Sequence, residues 1–372
     1  MIPVFRPQIG QEEIDAISTV LKSRWIGLGP KTKELEEKFA QYIGVSNAVG
    51  LNSGTAALHL ALEGLEIGSG DEVIVPSLTF VATVHAILYN KAKPVFADVD
   101  EDTLTINLED IKQKITPKTK AIIVVHYGGV PCQMNEIMAI AKENKLFVIE
   151  DCAHAAGSTY QGKKVGSIGD IGCFSFHAVK NIATGDAGML TTNNNKIAEK
   201  VKRLRWFGIS KDTAQRTGAS YDWDYDVNEL GYKYHLNDVI AAMALVQFQK
   251  LENQNQKRKE IVSHYNQAFE NVPGIETLKQ NESGQSANWN YVIKVDQRDE
   301  LVGFLKNRGI SSSVHYRPIH LHDVYKKYRK KANVPVTEQV WKKIITLPLY
   351  SEMTPEEINL VITSVLEFVK KS

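Results

Sequence analysis

The stretch AIIVVHYGGVPCQMNEIMAIAKENKLFVIED, Ala121 to Asp151, decides the fold. It opens on the apolar run Ala121 to Val125, crosses a helix-length segment from Asn135 to Asn144, and closes on a second apolar run, Phe147 to Ile149. Strand, helix and strand in that order make a parallel crossover unit. The same alternation extends both ways, with strands expected at Val73 to Val75, Pro94 to Ala97, Ile171 to Phe176 and Met189 to Thr192, and a helix at Leu108 to Lys114. Short runs that are apolar throughout suit strands covered on both faces, so the chain reads as α/β with a largely parallel sheet between helices. Ligand-binding groups then belong at the carboxyl ends of the strands.

Three features fall at such ends. Asp151 follows the strand Phe147 to Ile149, in Glu150-Asp151-Cys152-Ala153-His154-Ala155. Lys180 follows Phe174-Ser175-Phe176-His177-Ala178-Val179 and precedes the small-residue turn Thr184-Gly185-Asp186-Ala187-Gly188. Ser53-Gly54-Thr55 heads an apolar helical run, where free amides, a hydroxyl and the helix dipole favour an anion. A desolvated lysine loses proton affinity and becomes a nucleophilic amine, and a carboxylate can hold a ring nitrogen protonated. Amine, carboxylate and phosphate cradle are the protein groups that pyridoxal phosphate requires. Each fragment alone has a plainer meaning. Lys180 can be a surface charge, Ser53 or Thr55 a helix cap, Asp151 a turn cap or, with His154, a metal ligand, although no further cluster has ligand spacing. Ser175 is a second phosphate donor or an ordinary strand-end serine, and Phe80 covers a flat ring or is core. Glu150 is expected to be structural.

The 372 residues suit a large domain plus a smaller one, placed here at 1–250 and 251–372. With 44 Lys+Arg against 43 Asp+Glu, net charge is +1, which builds no field for nucleic acid or an anionic membrane. Met1 to Arg6 does not resemble a secretory leader and no apolar run approaches a membrane span, so a reducing cytoplasm is expected. Cys132, Cys152 and Cys173 lack metal spacing and read as small buried thiols near the sheet.

An amphipathic helix is expected at Glu12 to Lys22, with Ile14, Ile17 and Leu21 on one face. Trp25 to Pro30 reads as a glycine-punctuated turn, and Leu35, Phe39 and Tyr42 mark a second helix ending at Gly44. Arg216 to Tyr234 reads as a long functional loop, followed by a helix from Leu236 to about Leu251. The closing helix has Thr354 as N-cap, Pro355 at its first position and Glu357 completing a capping box.

Taken in order, Asn52-Ser53-Gly54-Thr55-Ala56-Ala57-Leu58, Pro76-Ser77-Leu78-Thr79-Phe80, the Glu150 to Ala155 run, Phe174 through Lys180, Gly185-Asp186-Ala187-Gly188-Met189 and Gly231-Tyr232-Lys233-Tyr234 resemble the DegT/DnrJ/EryC1/StrS family of nucleotide-sugar aminotransferases. The resemblance spans essentially the whole chain. It implies the fold-type I architecture of aspartate aminotransferase and a homodimer with sites at the subunit boundary. By position it implies that Lys180 carries pyridoxal 5'-phosphate covalently and that Asp151 holds the pyridine nitrogen. His154 would lie by the phenolic oxygen, Phe80 against the ring, and Gly54, Thr55 and Ser175 at the phosphate. The Gly231 to Tyr234 segment would reach the neighbouring subunit's site, with Lys233 where many members have asparagine. His315, Arg317 and His320, in Val314-His315-Tyr316-Arg317-Pro318-Ile319-His320, match a segment near the sugar or the amino donor in relatives, and bottom-up are equally surface residues. Arg317 is a candidate for the donor carboxylate or for a surface ion pair.

The activity implied is transfer of nitrogen from L-glutamate to a UDP-, dTDP- or GDP-linked keto-sugar. Phe176-His177-Ala178-Val179 ahead of the lysine resembles members that aminate C4 of a 4-keto-6-deoxyhexose; C3 or cyclitol amination is the alternative. A non-catalytic pyridoxal-phosphate-binding regulator is the rival class, and no basic patch or appended DNA-binding module supports it.

Overall fold

The computed structural model describes residues 1–210, 224–329 and 331–371. Residues 216–223 of the expected Arg216 to Tyr234 loop lie outside the described residues.

Seven strands form the central sheet: β1 (Asn47–Leu51), β2 (Glu72–Pro76), β3 (Lys93–Ala97), β4 (Thr119–Val125), β5 (Phe147–Asp151), β6 (Ile171–Ser175) and β7 (Gly188–Thr192). Their spatial order is β1-β7-β6-β5-β4-β2-β3. From β6 to β3 every pairing is parallel, whereas β7 runs antiparallel to both β6 and β1. The apolar runs are strands because helices cover both faces, and Ile122, Ile123, Ile149 and Ile171 have no exposed surface. Two clusters flank the sheet: one carries helix Gly54–Gly64, the other helix Met134–Asn144. All three cysteines are buried and free.

A second, antiparallel sheet of Glu276–Thr277, Tyr291–Lys294 and Ile344–Leu347 packs with helices Arg298–Asn307 and Pro355–Lys371. Ile2 joins that cluster and bridges to Ile310, so the first residues lie with the C-terminal part of the chain. Thr354 and Glu357 form the expected reciprocal capping bonds of the last helix.

Three readings need correction. Strand β1 went unread, because Asn47-Ala48-Val49-Gly50-Leu51 is short and broken by a glycine; a Cβ on Gly50 would stand 3.1 Å from Leu236. The helix expected to stop near Leu251 runs from Asp238 to Phe269. Its second half hides behind a polar run, yet Gln254, Asn255 and Arg258 are buried there, with Asn255 bonded to Asn181, Arg258 and the Ala156 carbonyl. The first helix, Gln11–Ser23, is present but turned: Ile14 and Leu21 are 55% and 54% exposed, while Glu13 and Val20 are buried. Glu13 faces inward because its carboxylate accepts from the Gly10 amide, Gln247 and Lys250. Those partners compensate its burial.

Candidate active site

The carboxyl ends of β5 and β6, the loop after β2 and the head of helix Gly54–Gly64 enclose a pocket of about 380 Å³. Gly54, Thr55, Phe80, Asp151, His154, Ser175, Lys180 and His315 all line it.

The cradle comes first. Ser53 caps the helix by accepting from the Ala56 amide at 3.1 Å, so the capping role weighed for it is real. Its neighbours complete the pocket end: a Cβ on Gly54 would stand 2.8 Å from Ser175 Cβ, and one on Gly188 would stand 2.4 Å from the Ser53 carbonyl. Glycine at these two positions lets the helix N-terminus close on the ends of β6 and β7. The result is a group of free amides and hydroxyls suited to a phosphate. Gly54→Ala therefore costs the cradle its geometry, and we expect at least a tenfold weaker cofactor affinity, measured by fluorescence titration.

Asp151 is buried. Thr83 Oγ1 donates to its Oδ2 at 2.8 Å and the Ala153 amide to its Oδ1 at 3.1 Å. Burial raises its pKa above the usual carboxylate range, against the pull of those donors and of Lys180. Its neighbour Glu150 is structural, as expected. It accepts from His126 and from the amides of Gly166, Ile168 and Gly169. The Cys132 amide donates to His126 Nδ1, which leaves the Nε2 proton for Glu150. Among the described residues, His126, Glu150 and Cys152 are the one group with metal-ligand chemistry, and the His and Glu lone pairs are already engaged.

Lys180 opens onto the pocket, with Nζ 4.0 Å over the Trp289 ring. Desolvation lowers its pKa from 10.5 to about 7, partly offset by Asp151. A fraction of the amine is therefore neutral and nucleophilic at neutral pH. His154 stacks on Trp289 at 3.7 Å between ring centroids, and its Nε2 meets the Tyr316 hydroxyl at 3.0 Å. His154 Nδ1 is buried and has no partner among the described residues. Burial, with Lys180 and His315 adding to it, holds this histidine well below its usual pKa. Phe80 is 54% exposed with its ring against Tyr316, available to cover a planar ligand.

The segment matched to the sugar or donor is only partly at the site. His315 lines the pocket, with Nδ1 held by Thr346 Oγ1 at 2.8 Å. His320 does not: it is buried between Ser77 Oγ at 2.6 Å and Glu338 at 2.9 Å, tying this segment to the end of β2. Arg317 is also outside, donating to the Leu321 carbonyl. Lys233 lies off the pocket of its own chain, its ammonium 3.6 Å over Trp206. Trp289 and Tyr316 are site residues that sequence reasoning missed, since a lone aromatic in a loop has no spacing signal.

The sequence pattern of the DegT/DnrJ/EryC1/StrS aminotransferase family matches residues 7–366. The chain belongs to that family. It is 45% identical to the uncharacterized protein MJ1066 of Methanocaldococcus jannaschii, over 100% of this chain and 98% of that one. It is 41% identical to the spore coat polysaccharide biosynthesis protein SpsC of Bacillus subtilis, over 99% and 97%. Among solved structures, the putative sugar aminotransferase Spr1654 of Streptococcus pneumoniae in its PMP form superposes with a TM-score of 0.94 at 34% identity, covering 100% of both chains. The same protein has been solved in a PLP form. This DegT/DnrJ/EryC1/StrS member is thus a sugar aminotransferase dependent on pyridoxal phosphate, with the fold-type I architecture of those neighbours. No helix among its described residues is long and apolar enough to cross a membrane.

The pocket passes a direct test of fit for this cofactor. Because Nε2 of His154 accepts from Tyr316 in one tautomer, the orphaned Nδ1–H is a donor in need of an acceptor such as a phenolic oxygen. Asp151, a carboxylate whose pKa burial pushes up, suits a pyridinium. Free amides stand where a phosphate needs them.

Proposed function

We propose that this protein transfers the amino group of L-glutamate to C4 of a nucleotide-linked 4-keto-6-deoxyhexose, the nucleotide being UDP, dTDP or GDP. The observation that carries the reading is the convergence of the Lys180 amine, the Asp151 carboxylate and the His154 Nδ1 on one pocket. Bound there, pyridoxal phosphate supplies the electron sink that lets a C–H bond beside nitrogen ionise.

The protein's own groups do the rest. Asp151 keeps the ring nitrogen protonated, and Thr83 and Ala153 hold its two oxygens in place. Gly54, Thr55 and Ser175 take the phosphate, His154 orients the phenolic oxygen, and Phe80 covers one ring face. Lys180 would hold the cofactor and, once freed by the donor amine, would carry the proton from the donor's α-carbon to the cofactor carbon on the far side of the nitrogen. An amine near pKa 7 is suited to both directions of that transfer. His177 lines the pocket beside the lysine and supports the C4 assignment through the resemblance of Phe176-His177-Ala178-Val179. The test offers 4-keto-6-deoxy and 3-keto-6-deoxy nucleotide sugars with glutamate and locates the new amine by NMR. We expect it at C4; an amine found only at C3 overturns the regiochemistry and leaves the aminotransferase intact.

We also propose a homodimer in which the Gly231 to Tyr234 segment serves the other subunit's site. Exposed Trp25, Ile26, Val227 and Leu230 support it as apolar surface that a partner would cover. So does Lys233, which faces away from its own pocket. Mixing Lys180→Ala with Lys233→Glu subunits, after verified exchange, is expected to restore partial activity because one hybrid site then has both intact elements. Absence of rescue would assign the segment to its own chain.

A further inference from the structure

A second and much smaller cavity shares Val179, Lys180 and Trp289 with the main pocket. Its volume is about 10 Å³, room for a single water-sized particle. Arg6, Arg258 and Tyr350 form part of its remaining wall.

Arg258, in the long helix Asp238–Phe269, is 7% exposed. Of the five N–H donors on a guanidinium, one is used among the described residues: Nη1 donates to Asn255 Oδ1 at 3.1 Å, an oxygen that also accepts from Asn181 at 2.8 Å. No carboxylate among the described residues pairs with it, and burial draws its pKa down to about 10 without an opposing acid. Arg6 adds a second cation, 4.7 Å over the Tyr350 ring, with Glu357 at 4.0 Å as its one carboxylate partner among the described residues. Donors and positive charge therefore surround a space of atomic size. Water satisfies donors but leaves a buried cation uncompensated, and such a charge is costly unless paired.

We propose that this cavity is a binding site for a monatomic anion of chloride's kind, held by Arg258 and acting electrostatically on the Lys180 amine. The space admits a monatomic ion more readily than a carboxylate or phosphate, which separates this ligand from the amino donor and from the cofactor's phosphate. Asp151, His154 and His315 line the main-pocket side of the amine, and Arg6 and Arg258 line the other. Burial is what disfavours a charged lysine here. A negative charge held between Arg258 and Lys180 opposes it and raises the amine's proton affinity by about one pH unit.

The test replaces chloride with bromide in crystals of the full chain and collects anomalous diffraction. A bromide peak against the Arg258 guanidinium is expected, and its absence in the wild-type protein overturns the site. Arg258→Gln is expected to lose the peak; a peak that persists there overturns the role of Arg258. A second readout follows the pH at which the visible colour of the pyridoxal-loaded protein changes, in chloride and in gluconate at equal ionic strength. The midpoint is expected about one unit higher in chloride, and equal midpoints overturn the coupling to Lys180. Neither readout involves glutamate or a keto-sugar, so the proposal and the substrate assignment fail separately.

Discussion

Lys180→Ala is expected to lower turnover by roughly 10⁴-fold or more, since one side chain supplies both covalent attachment and proton transfer. Cofactor binding should survive, because Asp151, Gly54, Thr55, Ser175 and His154 line the pocket independently of the lysine. Borohydride should fix the cofactor to the Lys180 peptide of the wild-type protein, and recovery of the label on another lysine would sink the assignment. A second consequence is opposite in sign. In cofactor-free protein the amine has a folded pKa of about 7 against 10.5 in the unfolded chain. The unfolded state thus binds the extra proton between those values, and wild-type stability rises as pH climbs from about 7 to about 10.5. Lys180→Met removes that slope. The variant should melt above the wild type at pH 7 and below, and the difference should shrink towards pH 10.5. A loss of both activity and stability at pH 7 would mean that Lys180 is a structural residue.

What could be read in advance depended on whether a residue's role is local. Strands β2 to β7 were legible because burial on both faces writes them as apolar runs, and each differed from its reading by only a residue or two at the ends. Asp151, Ser175 and Lys180 were legible because a strand's end is a local event. Roles created by distant partners were not. Glu13 faces inward because of Gln247 and Lys250, more than two hundred residues away. The buried polar stretch of helix Asp238–Phe269 depends on pairs such as Asn255 with Asn181, 74 residues apart. Trp289 reaches the site because its Nε1 donates to the Val179 carbonyl, a contact that no spacing announces. Arg317 and His320 failed for the same reason. Sharing a segment with His315 does not place them in its pocket, and Ser77 and Glu338 hold His320 elsewhere.

Asp151→Asn separates binding from chemistry most sharply. The amide preserves shape and can keep its contacts with Thr83 and the Ala153 amide, so the protein should fold and retain its yellow colour. It cannot hold a pyridine nitrogen protonated, and the electron sink depends on that proton. Removing one partner of a buried charge pair costs about 3–5 kcal/mol, which at about 1.4 kcal/mol per decade is a loss of roughly two to four decades in rate. The cofactor-free protein should respond the other way. Burial raises the Asp151 pKa above its unfolded value of 3.8, so wild-type stability falls as pH rises through that window. The asparagine variant lacks this titration and should lose less stability between acid and neutral pH, a difference that thermal melts across the range will show. The two measurements cover each other: a mere cap of the next turn would leave turnover within a few-fold of wild type, whereas an ion-pair partner of the cofactor would lose it by orders of magnitude. Near-normal turnover in Asp151→Asn would therefore refute the electronic role and return this carboxylate to the capping reading.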